Sequence, residues 1–448
     1  MTDPPAIAGG TDCLQAGSRT SCANPMDDFS KRLAALTSEQ RELLELRLKK
    51  RKLESVISEA VTAPSGSADT LVDQLPDDIA WRERKVEKAI KFSLYFFSDD
   101  GSKNNDDKYR LLLESAKFAD RHGFTAVWTP ERHFQAFGGL YPNPSVLSAA
   151  LAMITERVQI RAGSVALPLH HPVRVAEEWS LVDNLSRGRV AVSYASGWHP
   201  NDFLFAPDVY EERKEVMFRH IETIKKLWTG EPVEFAGVNG SSVQVSILPR
   251  PIQAQLPIWL TTAGNPETWN RAGEIGANVL AALPGYAPED LRELIKQYRQ
   301  ARANHGHDPQ TGIVSMMVHT FVGDSNEAVK EKVRSPFTNY LRTYFKQFEQ
   351  IQADQAELTE ADKDALMAAA FNQYFQDRTL FGTPAKCVRL VEKLSELDVD
   401  ELACLIDFGV DTDSVLESLN HLDELRAHFE QPQITEPSDR QLAGSRSV

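Results

Sequence analysis

Gln159–Phe203 reads QIRAGSVALPLHHPVRVAEEWSLVDNLSRGRVAVSYASGWHPNDF, and its order of apolar and polar residues decides the fold. An apolar run, Ile160 to Leu167, meets Pro168 and then His171-Pro172, where proline suits the first turn of a helix. A helical stretch, Val173–Leu185, follows; Ser186-Arg187-Gly188 ends it, and a second apolar run occupies Val190 to Ala195. That is one strand–helix–strand unit. Parallel strands joined by a helix place their C-terminal ends on one side, where α/β folds bind ligands. Gly163-Ser164 and Ser196-Gly197-Trp198-His199 are therefore expected to face one common site.

The same alternation continues on both sides. Strand-like runs are Ile90–Phe97, Ala126–Thr129, Gln159–Leu167, Val190–Ser196, Ile258–Thr262, Asn278–Leu283, Ile313–Phe321 and Glu401–Phe408. Amphipathic segments separate them, among them Lys108–His122, Arg213–Trp228, Asp290–His305 and Lys386–Leu397. Eight such units predict an α/β fold, a (β/α)8 TIM barrel with insertions. One insertion, Glu234–Ile247, reads as a β-hairpin turning at Val238-Asn239-Gly240. The other, the polar helical stretch Ser335–Asp377, precedes the last unit and is a candidate lid.

The barrel is expected over residues 78–430. Residues 1–25, rich in Gly, Pro, Ser and Thr, read as disordered, and 431–448 as a flexible tail. Between them and the barrel lie a leucine-bearing helical leader, 26–62, and a small-residue linker, 63–77. Thr37-Ser38-Glu39-Gln40 supplies a capping signal within the leader. The basic run Arg47–Lys52 reads as a solvated helix face.

Composition narrows the function. The 448 residues are 42% hydrophobic and 25% charged, the balance of a globular chain. A net charge of -15 and a pI near 5.3 argue against nucleic acid as a partner. No apolar run approaches the ~20 residues that span a bilayer, and the opening residues, without a basic start and an apolar core, are not expected to act as a signal peptide. Four scattered cysteines without a CxxC pattern fit a reduced, cytoplasmic protein. There is no GxSxG, no GxxxxGK[ST], no HExxH and no GxGxxG after the first strand, so no metal site is expected. His305-Gly306-His307 reads as a surface loop.

What remains is a constellation at the strand ends. It comprises Thr129-Pro130-Glu131-Arg132-His133-Phe134, Gly163-Ser164, Ser196–Phe203, and Thr262-Ala263-Gly264-Asn265-Pro266-Glu267-Thr268. Small residues opening a helix suit a phosphate; an ordinary Asn or Thr cap is the other reading.

These residues carry a family resemblance. VWTPERHFQAFGGLYPNPSVLSAAL, the opening stretch, LPIWLTTAGNPETWNRAGEIGANVL and FGTPAKCVRLVEKL resemble, in order, the luciferase-like flavin monooxygenases, relatives of the bacterial luciferase alpha subunit. HP-V-x-x-A-E followed by S-x-GR is the most specific part. GWHPNDF resembles the subgroup found with nonribosomal peptide and polyketide biosynthesis, and LTSEQRELLELRLKK resembles the leaders of assembly-line proteins.

The resemblance implies a TIM barrel that binds reduced FMN (FMNH2) at its strand ends. A separate flavin reductase would supply the flavin, and O2 would be co-substrate through a C4a-(hydro)peroxide. A small-molecule biosynthetic intermediate, tethered to a peptidyl or acyl carrier protein that docks on the leader, would be oxygenated. The family often dimerises, so a homodimer is a further expectation. Related barrels use F420, and some relatives are non-catalytic flavin or partner-binding modules; both remain as alternatives.

By position, Gly163-Ser164 falls where the family bends a strand under the flavin, often through a non-prolyl cis peptide. Gly264, Asn265 and Thr268 fall on the phosphate loop, and Ser196-Gly197-Trp198 beside the cofactor. Ser196 stands where luciferase has arginine; Arg132 replaces the first histidine of a pair and His133 matches the second. Asp202 matches an acidic position near the flavin. His133, His199 and Asp202 are the catalytic candidates, because histidine titrates near working pH. For His133 a structural packing role stands equally open. Trp198 would wall the flavin or simply pack. Glu131 and Glu177 are expected to pair with arginines such as Arg174.

Overall fold

The computed structural model describes residues 81–82, 84, 86, 88–97, 107–197, 199–262, 264–283, 286–351 and 360–430. The expected disordered N-terminus, helical leader, linker and tail, and Trp198, lie outside the described residues.

The chain alternates strands and helices. In order they are β1 (Lys91–Tyr95), α1 (Arg110–His122), β2 (Ala126–Thr129), α2 (Pro144–Ala152), β3 (Gln159–Ala166), α3 (Pro172–Ser186) and β4 (Val190–Ala195). Then come α4 (Arg213–Thr229), β5 (Val233–Ala236), β6 (Ser242–Val245), β7 (Ile258–Thr262), α5 (Pro266–Glu274), β8 (Asn278–Ala282) and α6 (Pro288–Asn304). The last are β9 (Val314–Val322), α7 (Asn326–Ile351), α8 (Glu360–Asp377), β10 (Leu380–Gly382), α9 (Pro384–Glu396), β11 (Glu401–Leu405) and α10 (Thr412–Glu430).

Strands pair in the order β9-β11-β1-β2-β3-β4-β7-β8, and β8 returns to β9. All these pairings are parallel, so the sheet closes on itself. These eight staves are the eight runs expected from sequence, with ends shifted by a few residues. Barrel staves are buried on both faces, hence their nearly unbroken apolar character. β5 and β6 form the expected antiparallel hairpin, with Asn239 and Gly240 at positive φ in its turn.

Outer stave faces pack on the helices. α3 shows the logic: Pro172 starts it, Arg187 in the left-handed region ends it, and Val175, Trp179 and Val182 are buried. Each such side chain contributes ~1.5–3 kcal/mol of burial. The barrel interior holds a buried polar cluster. Arg161 Nη1 lies 2.9 Å from Glu401 Oε1, with the guanidinium 4.7 Å from the Trp128 ring and 4.4 Å from that of Trp259. Ser93 and Trp128 donate to the same carboxylate at 2.7 and 3.4 Å. This cluster joins β1, β2, β3, β7 and β11 inside the barrel.

Candidate active site

The end of β3 departs from regular pairing. Gly163 faces Ser193, but Val165 faces Tyr194, so Ser164 is an extra residue. The Gly163-Ser164 peptide is cis. Tyr95 donates to the Gly163 carbonyl, and Ser164 and Thr261 share a hydroxyl contact. Thr261 lies 2.7 Å from Ser193, so a hydroxyl row joins β3, β4 and β7. Gly163 is required by close approach: a Cβ there would stand 2.9 Å from the Tyr95 ring and 3.0 Å from that of Trp128.

The loop after β2 carries two buried clusters. Glu131 Oε1 receives His133 Nε2 at 2.9 Å and His170 Nε2 at 2.5 Å, and Oε2 accepts the Ala166 amide at 2.7 Å. Burial alone would raise this carboxyl; the two histidines and the amide bring it below its ordinary value. For His170, burial would lower the imidazole, but the Glu131 contact raises it. His133 packs edge-on against Phe205 at 4.9 Å, and its Nδ1 makes no hydrogen bond among the described residues. Carboxylate on one nitrogen, with the other left over, is how proteins orient an imidazole for proton transfer.

Arg132 forms the second cluster. Its Nη1 lies 2.6 Å from Asp202 Oδ2, and both side chains are almost wholly buried. Burial pushes both groups toward neutrality: Asp202 is raised in spite of Arg132, and Arg132 is lowered in spite of Asp202. His199, His133 and Glu131 are close enough to act on the Asp202 charge. His199 is buried and caps the short 3-10 helix Pro200–Phe205, its Nδ1 accepting the Asn201 amide at 3.2 Å. Gly197 sits at φ 75° with the Phe203 ring 2.8 Å from where a Cβ would be, which admits only glycine.

At the end of β7, Asn265 behaves as an N-cap: its side chain accepts the Glu267 amide at 3.0 Å, and its carbonyl the Thr268 amide at 3.0 Å. Beside it, Thr262 Oγ1, Trp269 Nε1 and the Tyr286 hydroxyl are buried and face one another and the Gly264 backbone, without a hydrogen bond of regular geometry among the described residues. Burial raises the Tyr286 phenol; Trp269, the Gly264 backbone and Thr262 lie close enough to offset this in part. Three neutral donors converging beside Gly264, at a helix N-terminus, suit a phosphate monoester such as that of FMN. Ser196 is half-buried and adds no charge here.

The structure thus brings His133, His199 and Asp202 together, and sets Gly163-Ser164 on β3 and Gly264, Asn265 and Thr268 just beyond β7, with β4 between the two staves. One expectation is corrected. Glu131 pairs with histidines, whereas Arg174 lies exposed on α3 and pairs with Glu178 at 2.7 Å, one helical turn away. A solvated arginine has no reason to enter the buried pocket around Glu131. Sequence reasoning gave no role to Trp269, Tyr286 or His170, and quoted Thr262 in the strand-end constellation without assigning it one; His170 lies inside the opening stretch.

Comparison with known proteins identifies the family. Residues 90–401 match the family "Luciferase-like monooxygenase". The oxygenase component of a flavin-dependent trigonelline monooxygenase from Acinetobacter baylyi is 25% identical over 343 residues, 74% of this chain and 93% of that protein. The monooxygenase RslO1 from Streptomyces bottropensis superposes with a TM-score of 0.62 at 23% identity, covering 75% of this chain and 98% of its own. The oxygenating constituent of 3,6-diketocamphane monooxygenase from Pseudomonas putida, in complex with FMN, does so at 0.60 and 19% identity, over 75% and 97%. The chain belongs to the luciferase-like monooxygenase family and is an oxidoreductase.

Proposed function

We propose that this protein oxygenates a small-molecule intermediate of natural-product biosynthesis, using reduced FMN and O2. The observation that carries the flavin assignment is the convergence of Thr262, Trp269 and Tyr286 beside Gly264, on the same strand β7 whose Thr261 touches Ser164. Those donors would hold the phosphate, and the β3 bulge would support the ring. Bound reduced FMN supplies the electrons that activate O2.

The chain's own residues do the rest. Glu131 fixes the His133 ring, whose Nδ1 moves the proton at the reacting oxygen. Arg132 and Asp202, sealed from solvent, set the field at the mouth without presenting a strong acid. Phe134 and Phe205, on the rim beside His133, exclude water.

A separate reductase delivers the flavin; the trigonelline relative, described as an oxygenase component, supports this. The substrate rides on a carrier protein docked by residues 26–62, and the enzyme works in the cytoplasm as a homodimer; the leader sequence and the GWHPNDF variant support the first of these.

Anaerobic titration with reduced FMN, then oxygen, tests the core of the proposal. The expected result is saturable binding and flavin reoxidation slower than in free solution. Absence of binding together with unaltered reoxidation overturns it. Activity on free and carrier-bound substrate, with and without residues 1–75, tests the docking role.

A further inference from the structure

β9 carries His319 where it pairs with Leu405 of β11. The side chain is 3% exposed, and neither ring nitrogen has a hydrogen-bond partner among the described residues. Aromatic rings surround it. Tyr340 and Phe337 of α7 approach edge-on at 4.8 and 4.9 Å, and Phe408, just beyond β11, at 5.8 Å. Burial lowers the imidazole pKa to about 3, so the ring is neutral at any working pH. A buried polar atom left unmet is costly, so a phenylalanine would fill this space with less penalty.

The rings continue toward the active site. Tyr340 lies 4.9 Å from Phe137, and Phe137 5.0 Å from Phe97. Gly138 closes the gap: a Cβ there would be 2.9 Å from Arg132 Cγ and 3.2 Å from the Phe97 ring. The aromatic row therefore runs from His319 to the Arg132–Asp202 pair.

We propose that His319 is the recognition group of a substrate slot, hydrogen-bonding the hydroxyl of an uncharged phenol whose ring lies among Phe97, Phe137, Tyr340 and Phe408. A neutral imidazole offers one donor and one acceptor, which matches a hydroxyl and gives a carboxylate or ammonium no counter-charge. Aromatic side chains favour edge-on contact with a further aromatic ring. A site that hydrogen-bonds a hydroxyl rejects the analogue lacking it, because its polar atoms are then left unpaired.

This proposal rests on the strand ends being the reaction pocket, so its test uses the full chain without flavin. Calorimetry would compare 4-ethylphenol, ethylbenzene and 4-ethylbenzoate. The expected result is that 4-ethylphenol binds roughly tenfold or more tighter than either. His319→Phe should erase the preference over ethylbenzene, and His319→Gln, which keeps a donor and an acceptor, should retain part of it. Equal binding of phenol and hydrocarbon to the native chain overturns the proposal, as does a preference that survives His319→Phe. Phenol selectivity without any binding of reduced FMN would keep the slot and sink the flavin assignment; FMN binding without phenol selectivity would do the reverse.

Discussion

Arg132 Nη1 and Asp202 Oδ2 stand 2.6 Å apart with almost no solvent access, tying the loop after β2 to the loop after β4. Breaking one side of such a pair leaves a buried charge without its counter-charge, at a cost of ~3–5 kcal/mol. Asp202→Asn and Arg132→Met are each expected to lose stability on that scale in urea unfolding. The double variant Arg132→Met with Asp202→Leu should recover most of the loss, because two apolar side chains can pack where the pair stood. A double variant no more stable than either single one would show that the loops are not joined through this contact.

The Glu131 cluster predicts a pH window. The Glu131 carboxyl is lowered from 4.5, so its contribution to stability is present above that value and is lost as pH falls through the lowered one. The His170 imidazole is raised from 6.5, so its contribution is present below that value and is lost as pH rises through the raised one. Both contributions are complete between about 4.5 and 6.5. Glu131→Gln should therefore destabilise the protein more at pH 5.5 than at pH 9. An equal loss at the two pH values would mean that the charge on His170 adds nothing to the fold.

Gly163 faces two rings that are themselves held. Tyr95 donates to the Gly163 carbonyl, and Trp128 Nε1 lies 2.9 Å from Ser93 Oγ. A methyl group at 163 would press on both, at 2.9 and 3.0 Å. Overpacking of this kind costs ~1–3 kcal/mol. Guanidinium unfolding of Gly163→Ala should report it as a lower midpoint with an unchanged slope; a midpoint equal to that of the native chain would mean that the rings move aside.

The barrel was legible because each stave is a continuous apolar run closed by small polar residues, as in Val190–Ala195 before Ser196-Gly197. β10 was not: Leu380–Gly382 is three residues long, and it exists only because the end of β9 offers an edge. α2 was not singled out either, since Pro144–Ala152 is mostly alanine, serine and apolar residues without a polar face. At the site, residues that follow strands announce themselves by position. Their partners do not. His170 meets Glu131 from 39 residues away, and Thr262, Trp269 and Tyr286 meet only because β7, α5 and the end of β8 converge. Residue type alone marks none of these as special, because hydroxyls and indoles are common at strand and helix ends.

That convergence supplies the last prediction. A buried hydroxyl without a partner costs ~1–3 kcal/mol in the flavin-free protein. Tyr286→Phe removes the hydroxyl and keeps the ring, which packs against Trp269 with centroids 6.1 Å apart. The flavin-free variant should be as stable as the native protein or more so. Its affinity for reduced FMN should fall roughly tenfold, because a hydrogen bond to a charged phosphate is worth ~1.5–3 kcal/mol. Thr262→Val should behave in the same way, and riboflavin, which has no phosphate, should bind native and variant proteins alike. Thermal unfolding and anaerobic titration measure the two quantities separately. A variant that gains stability yet binds reduced FMN as tightly as before would place the phosphate elsewhere on the rim, and opposite movement of the two quantities is the signature of a polar group kept buried for its ligand.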